Sequence, residues 1–126
     1  MCFGLFGTVA IGQAEVLIDV PSGQPVHFHE VIWQQNEGQN VYRFRYVAPE
    51  IARDGGSVNF EQAEADFKYL CEQSALPALA GQGRLADRII ISLSDQKTDF
   101  GKANPAATQY FDSFIPNNVN CEWEGY

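Results

Sequence analysis

One stretch of this chain carries a strong helix signal, its apolar residues repeating at helical spacing from a capped start, so the other ordered segments have to pack against it or against a sheet. The stretch is "VNFEQAEADFKYLCEQSALPAL", residues 58–79. Phe60, Ala63, Phe67, Leu70, Cys71 and Ser74 trace one face of it. Asn59 is placed as an N-cap, with Gln62 three residues on, which is the spacing of a capping box. Glu61, Glu64 and Asp66 fall near the positive end of the helix dipole. Pro77 is expected to end the regular pattern, because it lacks an N–H and crowds the preceding turn.

The remaining segments read as strands. A short one over 15–20 is broken by "PSGQP". "VHFHEVIWQQ" and "VYRFRYVA" are rich in β-branched and aromatic residues, and the polar "NEGQN" between them suggests a hairpin with a longer loop. "RIIISLSD" alternates as a further strand, and "TQYFDSFI", "PNNVN" and "CEWEGY" suggest a second hairpin. Residues 105–115 also fit a helical spacing through Tyr110, Phe111, Phe114 and Ile115, with strand the favoured reading. The expected class is α+β: a single domain over 15–126, largely an antiparallel β-sheet with one long α-helix packed on one face.

Side-chain parity then assigns faces. Tyr42, Phe44 and Tyr46 share one face of their strand, opposite Arg43 and Arg45. Counting by twos puts His27, His29, Val31 and Trp33 on one face of the other strand, opposite Phe28, Glu30 and Ile32. Matching the apolar faces sets Trp33 against Tyr42, His29 against Tyr46 and Glu30 against Arg45, with Val31 and Trp33 packed under the helix. A slip of one residue would reverse every assignment.

Sixteen acids against eight bases give a formal charge of −8, and no cluster of Lys or Arg interrupts the sequence. Nucleic acid and anionic lipid are poor partners for such a chain. The first fourteen residues, "MCFGLFGTVAIGQA", carry no charge and end in small residues. They read as a signal peptide whose positive n-region lies upstream, cleaved after Ala14; an N-terminal apolar strand is the alternative. The length of the apolar run is too short to span a bilayer as a helix. Export makes Cys71 and Cys121 a candidate disulfide, two free thiols being the alternative.

"HEVIW", "RFRYVAPEIARDGG", "FEQAEADFKYLC", "IIISLSD", "DFG", "TQYFDSF" and "CEWEGY" occur in this order. Together they resemble a small family of exported alphaproteobacterial proteins of unknown function, whose members are sometimes labelled acetolactate synthase. The resemblance implies a signal peptide, one small domain and a periplasmic location, and it brings no catalytic residues. The synthase label does not suit the sequence, because a thiamine-diphosphate enzyme needs a diphosphate-binding segment and further domains for which 126 residues leave no room.

Candidate chemistry is sparse. His27 and His29 are the only histidines, and His-x-His on one strand face can chelate a metal. A third ligand would have to be an Asp or Glu recruited from elsewhere, for instance Asp19 or Asp95, so neither metal nor cofactor is expected. Glu122 and Glu124 share a strand face, and Asp95 and Asp99 lie in one loop, without the spacing of a calcium loop. No Gly-x-Ser-x-Gly is present. Three roles remain open. The leading one is a non-catalytic periplasmic module that binds an envelope partner. A second binds a small molecule or metal on a face formed by His27, His29, Trp33, Tyr42 and Tyr46, and an enzyme of unrecognised type is the third.

Overall fold

The computed structural model describes residues 16–125. The proposed signal segment 1–14, with Cys2, lies outside the described residues. Six strands form one mixed sheet in the order of the chain: β1 (Leu17–Ile18), β2 (Val26–Asn36), β3 (Gln39–Val47), β4 (Arg88–Ser94), β5 (Gln109–Asn117) and β6 (Asn120–Trp123). All neighbours are antiparallel except β3 and β4. A parallel pair requires a crossover, and the chain makes it with its helix. The α+β expectation holds, with residues 109–117 a strand.

That helix is 22 residues long and runs as α1 (Phe60–Leu70), a π-helical segment (Cys71–Ala75) and α2 (Leu76–Gly81). Asn59 and Gln62 form the expected capping box: the Asn59 side chain accepts from the Gln62 N–H, and the Gln62 side chain accepts from the Asn59 N–H. Pro77 does not stop the helix. It has no N–H to give to the preceding turn, and immediately before it the chain widens so that the Leu76 N–H reaches the Cys71 carbonyl. The helix then continues to Gly81.

Ala63, Phe67, Leu70, Cys71, Ala75 and Leu79 from the helix bury against Tyr42, Phe44, Tyr46, Ile89, Ile91 and Leu93 from β3 and β4. Phe60, at the edge of this core, stacks edge-on against Tyr110 of β5, with ring centroids 5.2 Å apart. Asp66 is the exception on the buried face, fully enclosed yet charged by type. It accepts hydrogen bonds from the Ser22 N–H (2.9 Å), the Ser22 hydroxyl (2.6 Å) and the Gln24 amide (2.8 Å). A carboxylate buried with three donors is satisfied, and here it clamps the β1–β2 turn onto the helix.

The β2–β3 connection is tighter than expected. It is a two-residue turn in which Glu37 (φ 51°) and Gly38 (φ 81°) both have positive φ, as a type I′ hairpin requires. The strands therefore pair out to Asn36 and Gln39.

Cys71 and Cys121 are joined, with Cα atoms 6.2 Å apart. The bond ties the middle of the helix to β6, and the neighbouring Glu72 carboxylate accepts the Cys121 N–H at 2.9 Å. The two cysteines are 50 residues apart in sequence. Replacing both by Ala should therefore lower the unfolding free energy by about 4 kcal/mol, read from urea denaturation of oxidised wild type and variant. A loss below about 1 kcal/mol would show that the cross-link does not restrain the unfolded chain.

Candidate functional site

The hairpin register carries one irregularity that decides which side chains meet. Trp33 pairs with Tyr42, Val31 with Phe44 and Glu30 with Arg45, as parity predicts. Between Phe28 and Glu30 the register shifts, and His29 is the extra residue of a β-bulge. Phe28, not His29, therefore faces Tyr46, with ring centroids 5.8 Å apart. His27 pairs with Val47, on the opposite face from Tyr42 and Tyr46. The set His27, His29, Trp33, Tyr42 and Tyr46 is thus divided. The three aromatics stay on the helix side, with Phe28 added, and His27 goes to the other face.

A second correction concerns burial. Trp33 and Val31 do not lie under the helix. Phe28 and Val31 are each 45% exposed and Trp33 is 53% exposed. They form one wall of a groove of about 460 Å³ whose floor is Tyr42 and Phe44 and whose far wall is Ser74, Ala78 and Leu79 of the helix. The Trp33 indole N–H donates to the Asn40 side chain at 3.1 Å, which fixes the ring at the rim. Below the groove the Tyr46 hydroxyl donates to Ser74 at 2.8 Å, and burial pushes its pKa up to about 12. A second depression, about 430 Å³, lies on the other side of the helix end, between Leu76 and Pro77 and the β5–β6 turn at Val119.

The outer edge of β2 adjoins the groove. Among the described residues β1 pairs only with Val26 and His27, so β2 extends nine residues beyond its neighbour. Backbone donors and acceptors along such an edge can take another strand.

On the other face the charged neighbours of His29 are Glu30, Arg45, Lys97 and His27. Partial burial lowers the His29 pKa, Glu30 opposes this, and the Arg45, Lys97 and His27 charges add to it. Arg45 is itself buried, ion-paired with Glu30, and donates to the Thr98 hydroxyl at 2.7 Å. Among the described residues no group of three or more His, Cys, Asp or Glu side chains is placed to hold a metal.

The other candidate acids are engaged in structure. Glu124 forms a two-pronged pair with Arg88 (2.7 Å for each contact) and accepts from Ser113, which together hold its carboxyl below the usual range. Glu122 instead accepts from the Asn117 amide. Asp95 accepts the Thr108 N–H at 2.9 Å, while Asp99 lies 3.9 Å from Lys102. The two pairs that parity and loop position put together are therefore pulled to separate partners.

No curated protein and no solved structure matches this chain. A family model does, over residues 5–126. The chain belongs to the family of unknown function DUF6497. The features to explain in this member are a groove lined by Phe28, Val31 and Trp33, a β2 edge with no strand beside it past His27 among the described residues, and a charged opposite face. No helix among its described residues is long and apolar enough to cross a membrane.

The His29 environment gives a pH signature. Its folded pKa lies below the unfolded one, so the unfolded chain binds the proton more readily and the His29 contribution to stability is present above the unfolded value. That contribution is lost as the pH falls from about 6.5 through the folded value. Chemical denaturation at pH 7.5 and pH 5 should show a smaller loss in His29→Gln than in wild type. An identical loss in both would place the imidazole in open solvent.

Proposed function

We propose that this protein is a non-catalytic, periplasmic accessory module that binds an envelope protein by taking an extended segment of it onto the outer edge of β2. One observation carries the reading: β2 continues past β1 for nine residues while Phe28, Val31 and Trp33 stand half-exposed beside it. Strand addition draws on both features. Main-chain hydrogen bonds at the edge supply affinity, and alternate side chains of the incoming strand enter the neighbouring apolar groove. Sheet proteins usually guard such edges with Lys, Pro or an inward charge. "VHFHEVIWQQN" has neither Lys nor Pro, and its one acid, Glu30, is already paired with Arg45. The uncharged leader and the Cys71–Cys121 bond support export, and the −8 charge favours a partner segment that is basic as well as apolar.

A second reading is binding of a small apolar molecule in the same groove, favoured by its volume of about 460 Å³ and its aromatic lining. It would use Phe28, Val31, Trp33 and Tyr42 in place of the histidines.

A photo-crosslinking residue at Gln35, on the edge, distinguishes the two in cells that export the protein. The expected result is a covalent adduct with an extended stretch of one envelope protein. Val31→Lys should abolish the adduct, and Trp33→Ala should weaken it while lowering stability by only about 1 kcal/mol, because the ring is half-exposed. An adduct yield unchanged by Val31→Lys would remove the edge from the interface. Extraction of a bound apolar molecule with no protein adduct would favour the second reading.

A further inference from the structure

The face of the sheet away from the helix carries a second cavity, built from different chemistry. Its row is set by register: Glu30 on β2 pairs with Arg45 on β3, Arg45 with Ser92 on β4, and Ser92 with Phe111 on β5. The loop after β4 folds over this row and encloses about 220 Å³. Three polar side chains at its floor are more than nine-tenths buried: Arg45 at 5%, Ser92 at 6% and Thr98 at 8% exposed. Arg45 is fixed by Glu30 and Thr98, and both Arg45 and Arg43 lie against the Phe100 ring, at 5.6 and 5.3 Å from its centroid. The Ser92 side chain lines the cavity, where its hydroxyl can reach a bound molecule.

Charge at this place runs against the chain as a whole. Arg43, Arg45 and Lys102 line the cavity with one acid, Asp99, and Glu30 pairs with Arg45 beside it, which leaves one excess positive charge in a protein with a formal charge of −8. The local excess of positive charge attracts anions, and a guanidinium presents several N–H donors to a carboxylate. The rim adds an apolar element, since Phe111 and Phe100 are 58% and 42% exposed beside the cationic floor.

We propose that this cavity is a binding site for a small carboxylate with a short apolar body. The carboxylate accepts from Ser92 and lies in the field of Arg43, Arg45 and Lys102, and the apolar part packs on Phe111. The site lies on the opposite face from the β2 groove, and it does not depend on the groove's role.

Isothermal titration calorimetry at pH 7 and fixed ionic strength tests it, with sodium benzoate, sodium acetate and sodium phosphate as probes. Benzoate should bind one to one, with a dissociation constant on the order of millimolar or tighter, and acetate at least several-fold more weakly. Ser92→Ala and Lys102→Ala should each weaken benzoate by about fivefold or more without altering the circular dichroism spectrum. Trp33→Ala, on the other face, should leave it unchanged. No saturable heat with benzoate, or an affinity that both Ser92→Ala and Lys102→Ala leave intact, overturns the site. Tighter binding of phosphate than of benzoate overturns the carboxylate assignment.

Discussion

Among the described residues one long helix lies across six strands, and it is too narrow to cover them. A helix with its side chains is about 10–12 Å wide. Six strands spaced at about 4.8 Å extend over roughly 24 Å. The helix therefore seals only the middle of the sheet, where Tyr42, Phe44 and Tyr46 of β3 and Ile89, Ile91 and Leu93 of β4 meet Phe67, Leu70 and Leu79. The disulfide to Cys121 and the Asp66 clamp on Ser22 and Gln24 hold it there, one toward each side of the sheet. The flanks stay open. On one lie Phe28, Val31 and Trp33, and on the other Trp123 is 60% exposed with its indole N–H on Asp112.

The bulge at His29 sets what the open flank on β2 contains. Without it, strict alternation would bring an imidazole into the aromatic cluster and send Phe28 to the polar face. With it, Phe28 joins Trp33 on the helix side, and the charged groups gather on the reverse, where the loop carrying Thr98 and Phe100 closes over Arg43 and Arg45. One extra residue thus separates an apolar groove from a cationic cavity on the two faces of the same sheet.

The helix, its cap and the pairing of Trp33 with Tyr42 and Glu30 with Arg45 were legible because each rests on local spacing or on one short hairpin. The His29–Tyr46 contact was misread because counting by twos assumes an unbroken ladder, and "HFHEV" carries no Gly to mark the bulge. The burial of Trp33 was misread for a different reason: its face was right, but which strands the helix covers is a property of the crossover. Asp66 looked like a dipole partner because its donors, Ser22 and Gln24, lie more than forty residues away. The cavity under Phe100 was illegible for the same reason, since the loop reads as irregular and its contacts with β3 are tertiary. Pro77 ended the helix in the sequence reading because the π-helical widening that accommodates it leaves no mark in composition.

Amide hydrogen exchange along β2 in the isolated monomer measures the open edge most directly. In an edge strand every second N–H points away from its neighbour. Alternate amides between Phe28 and Asn36 should therefore exchange rapidly, with slow exchange at those bonded to β3 and throughout the core of β3 and β4. Uniform protection of both sets would contradict the central claim, because it would mean that the β2 edge is already paired and has no room for a partner strand.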